Sequence, residues 1–212
     1  MASLKQKAYN IIKDNIVSCR YKPGQLLNET QLMEECGTSR TPVREALSKL
    51  EQEKLVRIVS KKGIMVTELT LKEIGDIYLV RGLLEPQMVK LFGANIPLDE
   101  LERVRSMLLS YKPEMDMQER NEIDDAIHRL IIESCPNNYF HEWMTLIYLQ
   151  NQRIRFSTGQ LGRYMEKNNQ EHLRITETIL RADYDKAADL LREHLEKARR
   201  ATFDTLLSGG SM

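Results

Sequence analysis

The sequence predicts a mainly α protein, an N-terminal winged helix-turn-helix followed by an all-α helical bundle. Two observations carry this. Apolar residues recur at helical spacing through most of the 212-residue chain. The exceptions are two neighbouring β-like runs, 55–59 and 64–67, which close a helix, helix, turn, helix, hairpin order over the first 69 residues, the order of a winged helix.

In the head, Leu4, Ala8, Ile11, Ile12 and Ile16 share one helical face, and the run stops at Tyr21-Lys22-Pro23-Gly24. Asn28 is placed to cap a short second helix carrying Leu32 and Met33, and Gly37 suits the left-handed residue that closes it. A third helix opens near Thr38-Ser39 and turns Val43, Ala46, Leu47 and Leu50 inward. Pro42 falls in its first turn, where a missing N–H costs nothing. The hairpin that follows has a basic tip, Ser60-Lys61-Lys62-Gly63.

From Thr70 onward the pattern is helical only. Thr70-Leu71-Lys72-Glu73 reads as a capping box opening a long helix to about Leu91. Further helices are expected at about 98–111, 118–134, 138–157, 163–182 and 184–206. The domains are therefore expected at 1–69 and 70–206, with a frayed tail at 207–212. Leu130, Ile131, Leu146, Leu149, Ile179, Leu180, Leu190 and Leu191 are read as bundle core, with Met115, Met117, Met144 and Met165 filling gaps.

Composition narrows the function. With 42% hydrophobic and 29% charged residues the chain is an ordinary globular one and not a disordered one. No run of apolar residues is long enough to span a membrane and the N-terminus lacks the apolar core of a secretory signal, so a cytoplasmic protein without a membrane partner is expected. Three widely spaced cysteines without a CxxC pair point to reduced thiols. The net charge is zero, yet residues 1–70 hold 12 basic and 8 acidic residues against 19 and 23 in the remainder. A mildly basic head thus precedes a mildly acidic body, as in a DNA module joined to a domain with another task.

Arg40 and Arg44 lie four apart at the start of the third helix and share its outward face. Arginine is the residue whose planar fork pairs bidentately with guanine O6 and N7. Ser39 and Thr41 offer hydroxyls to phosphates or to capping, and the amides of the first turn form an anion site. Lys61, Lys62 and Gly63 at the hairpin tip are candidates for the neighbouring minor groove or its backbone.

The body holds a second constellation. Asp124 and His128 share a helix face, while His172 and His194 fall on the last two helices, which a break at Asp183 would make antiparallel neighbours. Three imidazoles and one carboxylate suit a divalent transition metal such as Zn²⁺, Ni²⁺ or Mn²⁺. His141, beside Trp143, is read as packing surface instead.

The segment LNETQLMEECGTSRTPVREALSKLEQEKLVRIVSKKGIMV, with YKPGQLLNE before it, closely resembles the GntR family of bacterial transcription regulators. By that resemblance Arg40, Thr41, Arg44 and the wing tip carry DNA contacts. Thr30 stands where some relatives carry a further DNA-contacting Arg, a departure from the family pattern. The body is similar to the FCD ligand-binding domain of the FadR-type branch, in its shorter form of about six helices. IYLVRGLLEP resembles its opening helix, and the isolated histidines of EHLRITETILRADYDKAADLL and REHLEKAR resemble its later ones. The resemblance implies Asp124, His128, His172 and His194 as metal ligands. It also implies a small organic acid as effector, for which Arg81 and Arg153 are the candidate carboxylate partners.

The expected protein is a homodimeric, metabolite-responsive transcription regulator, a repressor, bound to a pseudo-palindromic double-stranded operator. Two rivals are an architectural DNA-binding dimer without effector and a metalloenzyme. The second lacks HExxH, a paired ExxH and any nucleophile pattern, and leaves SRTPVREAL unexplained.

Overall fold

A computed structural model describes residues 3–59, 63–158 and 164–208. They fall into two compact units, one of residues 3–59, 63–70 and 149–157 and one of residues 71–148, 158 and 164–208. The first contains α1 (Leu4–Val17), β1 (Leu26–Leu27), α2 (Glu29–Cys36), α3 (Arg40–Gln52), β2 (Val56–Val59) and β3 (Gly63–Val66). The second contains α4 (Leu71–Phe92), α5 (Leu98–Leu109), α6 (Met117–Glu133), α8 (Met165–Leu180) and α9 (Tyr184–Leu207); α7 (Asn138–Thr158) contributes its first half here and its second half to the first unit.

The head is the expected winged helix-turn-helix. Asn28 Oδ1 accepts from the Thr30 amide at 2.8 Å, and Gly37 closes α2 in the left-handed conformation. Ala8, Ile12, Ile16, Leu32, Val43, Ala46, Leu47 and Leu50 form its core, but Leu4 is exposed. One element was not expected, the two-residue β1, which makes the sheet order β1-β3-β2 and pairs Leu26 with Met65. The hairpin is also shifted. Gly63 belongs to β3, opposite Val59, with φ +105°, and a Cβ there would lie 3.0 Å from the Leu27 carbonyl. The glycine is thus required by the close approach of β1.

The second unit is all α. Its core joins Met88, Val89, Leu101, Val104, Leu108, Ile127, Ile131, Met144, Ile175, Ile179, Leu191 and Leu195. The helix α4 runs through Pro86 and packs along α9, where Tyr78 and Thr202 hydroxyls meet at 2.7 Å. The turn between α8 and α9 is closed by Asp183, whose side chain accepts from the Lys186 amide. Asp116 and Glu119 build a reciprocal capping box at α6 that the sequence reading passed over.

Three expectations are corrected. Leu149 packs in the head core, because residues 149–157 belong to the first unit: Gln150 donates to the Glu53 carbonyl at 3.2 Å, and Arg153 to the Thr67 carbonyl at 2.6 Å and Oγ1 at 2.9 Å. Met117 is exposed at the start of α6. Trp143 is exposed and faces Tyr139 across 6.3 Å.

Candidate nucleic-acid interface and candidate metal centre

In the first unit, α3 turns Val43, Ala46 and Leu47 into the core and leaves Ser39, Arg40, Thr41 and Arg44 exposed at its N-terminal end. Ser39 is the N-cap residue, yet its side chain makes no capping bond, so the hydroxyl is not committed to the helix end. The two guanidiniums converge on one carboxylate. Glu29 accepts from Arg44 Nε at 2.5 Å and Nη2 at 3.3 Å, and lies 3.2 Å from Arg40 Nε. Glu29 is the first residue of α2, behind the Asn28 cap. Sequence reading missed it, because the pairing crosses between two helices. A cleft of about 700 Å³ lies between α2, α3 and the hairpin, lined among others by Glu29, Gln31, Arg44, Ile58 and Gly63. Lys61 and Lys62, expected at the wing tip, lie outside the described residues.

In the second unit, α6, α8 and α9 bring three buried imidazoles together. His172 Nε2 lies 3.2 Å from His128 Nε2 and 3.0 Å from His194 Nε2, and these donor atoms form one group able to hold a metal ion. Each ring turns its other nitrogen to a carboxylate. His128 Nδ1 is 2.6 Å from Glu85 Oε2 on α4, His194 Nδ1 is 2.8 Å from Glu171 Oε2 on α8, and His172 Nδ1 is 3.4 Å from Asp124 Oδ1 on α6.

The protonation states follow. Burial pushes the Glu85 carboxyl up, but Arg81 and His128 hold it down at about 2. Burial also opposes charge on Glu171, and its hydrogen bonds from His194 and Lys197 hold it at about 2. Both carboxylates are therefore ionised acceptors, and the proton in each short contact sits on Nδ1. Burial lowers the His128 pKa, against the pull of Glu85, so that ring is neutral at physiological pH. Arg81 Nη2, 3.3 Å from His128 Nδ1, is consequently a close neighbour of that nitrogen and not its donor.

With their outer nitrogens turned to carboxylates, the three rings direct Nε2 to a common centre, the orientation in which imidazoles hold a metal ion. The spacing fits as well. Nitrogen ligands at about 2.1 Å from a metal lie about 3.0 Å apart at right angles and about 3.4 Å apart at tetrahedral angles, bracketing the observed contacts. The donor set is therefore suited to a divalent transition metal.

Of the four expected ligands the structure brings the three histidines together. Asp124 Oδ1 lies 3.4 Å from the outer nitrogen of His172, and the group of converging donor atoms consists of the three histidines. Arg81 lies beside the cluster, but its Nε is engaged by Glu85 at 2.6 Å. Arg153 is buried in the first unit, where it donates to Thr67. Glu85 was visible in sequence only as a local partner of Arg81, and Glu171 only as the neighbour of His172.

Comparison with known proteins matches the two parts of the chain to two families. Residues 4–66 match the bacterial regulatory proteins of the gntR family and residues 76–197 match the FCD domain. The Escherichia coli K12 transcriptional repressor GlaR is 29% identical over 199 residues, covering 88% of this chain and 90% of its own. The Nta operon transcriptional regulator of Aminobacter aminovorans is 27% identical, covering 85% and 86%. A solved GntR regulator from Rhodococcus sp. RHA1 superposes with a TM-score of 0.83 at 20% identity, covering 96% of this chain and 99% of its own. These relatives are transcription regulators and not enzymes. The chain belongs to the GntR family of bacterial transcription regulators, in the branch whose body is an FCD domain.

Proposed function

We propose that this regulator is a homodimeric repressor whose affinity for a pseudo-palindromic operator is changed by a small organic acid bound at a metal site in the second unit. The observation that carries the reading is the convergence of three buried Nε2 atoms, each ring oriented by a carboxylate, in a chain whose other unit exposes Arg40 and Arg44. His128, His172 and His194 hold the metal, of which Zn²⁺, Ni²⁺ and Mn²⁺ are the candidates. When bound, such a cation supplies a fixed positive charge and open positions for a carboxylate. Glu85, Glu171 and Asp124 orient the rings, and Arg81 anchors Glu85. A relative named the gluconate operon repressor of Bacillus licheniformis, 34% identical over 134 residues, accords with repression and with acid metabolism.

In the head, Ser39, Arg40, Thr41 and Arg44 meet the major groove, and the wing tip with Lys61, Lys62 and Gly63 meets the adjacent backbone or minor groove. A two-fold dimer presents two heads to two half-sites. A coupling of about 1–3 kcal/mol between effector and operator changes affinity roughly 5- to 150-fold. The protein acts in the cytoplasm, where its DNA lies.

A thermal-shift screen with small carboxylates on the metal-loaded protein, repeated with chelator, tests the sensing half. A carboxylate that raises the unfolding midpoint only in the metal-loaded protein is the expected result. No response to any acid would leave the architectural dimer as the better reading.

A further inference from the structure

We propose that Glu29 is a specificity-determining residue of the DNA-reading surface, acting as a built-in counter-charge to Arg40 and Arg44. The inference rests on the DNA-binding reading of the head. One carboxylate receives both recognition arginines: Arg44 through Nε at 2.5 Å and Nη2 at 3.3 Å, Arg40 through Nε at 3.2 Å. The arginine side chains are about two-thirds exposed, whereas that of Glu29 is only 22% exposed. The acid is thus the fixed member and the guanidiniums are the mobile ones. Its place is set by the Asn28 cap and by its position at the first residue of α2, where the helix dipole favours a negative charge.

Three consequences follow for DNA. The Arg40–Arg44–Glu29 group carries one net positive charge instead of two, which weakens attraction to any phosphate backbone regardless of sequence. Glu29 accepts hydrogen bonds from Nε and Nη2 of Arg44 and lies beside Nε of Arg40, so a DNA group has to draw the guanidiniums away from it, which favours a bidentate base edge over a single phosphate contact. Glu29 also lines the cleft between α3 and the hairpin, so a backbone entering there meets a carboxylate. With Thr30 at the next position, α2 adds no positive charge to offset it. Discrimination is gained by suppressing the non-specific mode, a device of repulsion as much as attraction.

The test uses the full chain as parent, Glu29→Gln, Glu29→Ala and Glu29→Asp. Each is titrated with a short duplex of arbitrary sequence over a salt series, and each is used to select binding sequences from a randomised duplex pool. Glu29→Gln and Glu29→Ala are expected to bind the arbitrary duplex about tenfold more tightly, with a salt slope steeper by about 0.9 for each phosphate newly contacted. They are also expected to select a less restricted motif. Glu29→Asp, which keeps the charge, should stay within about twofold of the parent on the arbitrary duplex, a rescue that a purely structural role does not give. Variants indistinguishable from the parent in slope and motif, or weaker on the arbitrary duplex, overturn the assignment of Glu29 alone. A parent that enriches no sequence overturns the DNA reading beneath it.

Discussion

The two units each contain an Arg–Glu pair of nearly equal length, and the pairs do opposite work. In the head, Arg44 meets Glu29 at 2.5 Å with side chains 65% and 22% exposed. In the body, Arg81 meets Glu85 at 2.6 Å with side chains 4% and 0% exposed. Water and salt screen the first, so it can open at little cost, as the proposed contact of Arg44 with DNA requires. The second is locked, because opening it strands a charge in a medium that solvates it poorly. That rigidity passes to the site, since Glu85 in turn holds His128. Contact distance alone does not reveal the role of an ion pair; exposure does.

Removing one partner from each pair should expose the difference. Arg81→Ala leaves Glu85 buried without its cation, and a loss of about 3–5 kcal/mol in unfolding free energy is expected from denaturant titration. A loss within error would show that the buried pair does not hold the bundle. Arg44→Ala should leave the unfolding midpoint nearly unchanged while weakening binding to a selected duplex about 5- to 150-fold. Equal binding would mean that α3 is not the reading helix.

The carboxylates behind the histidines give a finer contrast. Glu171→Gln keeps the shape but loses the charge that orients His194, and metal affinity measured by chelator competition should fall about 10- to 100-fold with no change in DNA binding by the effector-free protein. Asp124→Asn separates an orienting partner from a ligand: a loss in that same range fits the contact with His172 Nδ1, whereas complete loss of metal would make Asp124 a fourth ligand.

A last contrast is in pH. The Glu85 carboxyl titrates at about 2 in the folded chain against an ordinary value of 4.5, so its contribution to stability is complete above that value and is lost as pH falls from about 4.5 toward 2. Midpoints measured between pH 6 and pH 3 should decline in the parent and decline less in Glu85→Gln.

The head was legible in sequence because its determinants are local. Asn28, Gly37 and Pro42 each act within a turn of their own position, and the spacing of Arg40 and Arg44 fixes their shared face. What escaped there was non-local or too short. The strand Leu26–Leu27 shows no alternation in two residues, and Glu29 reaches Arg44 from 15 positions away. The body was legible as helices, and its three histidines as partners, because the short turn at Asp183 makes α8 and α9 fold back on each other. The carboxylate shell was not, since α4 supplies Glu85 to a histidine 43 residues later. Nor could periodicity show that α7 changes allegiance after Tyr148, because Leu149 and Arg153 continue the same helix while packing in the head.

The central claim, that a carboxylate acting at the three-histidine site changes DNA affinity, is tested most directly by one titration. Parent and His172→Ala, both incubated with Zn²⁺, are titrated with a duplex selected by the parent, with and without a panel of small carboxylates. The account predicts that at least one acid shifts the affinity of the parent roughly 5- to 150-fold and leaves His172→Ala unmoved. Affinity unaffected by any acid, or shifted equally in both proteins, would contradict it.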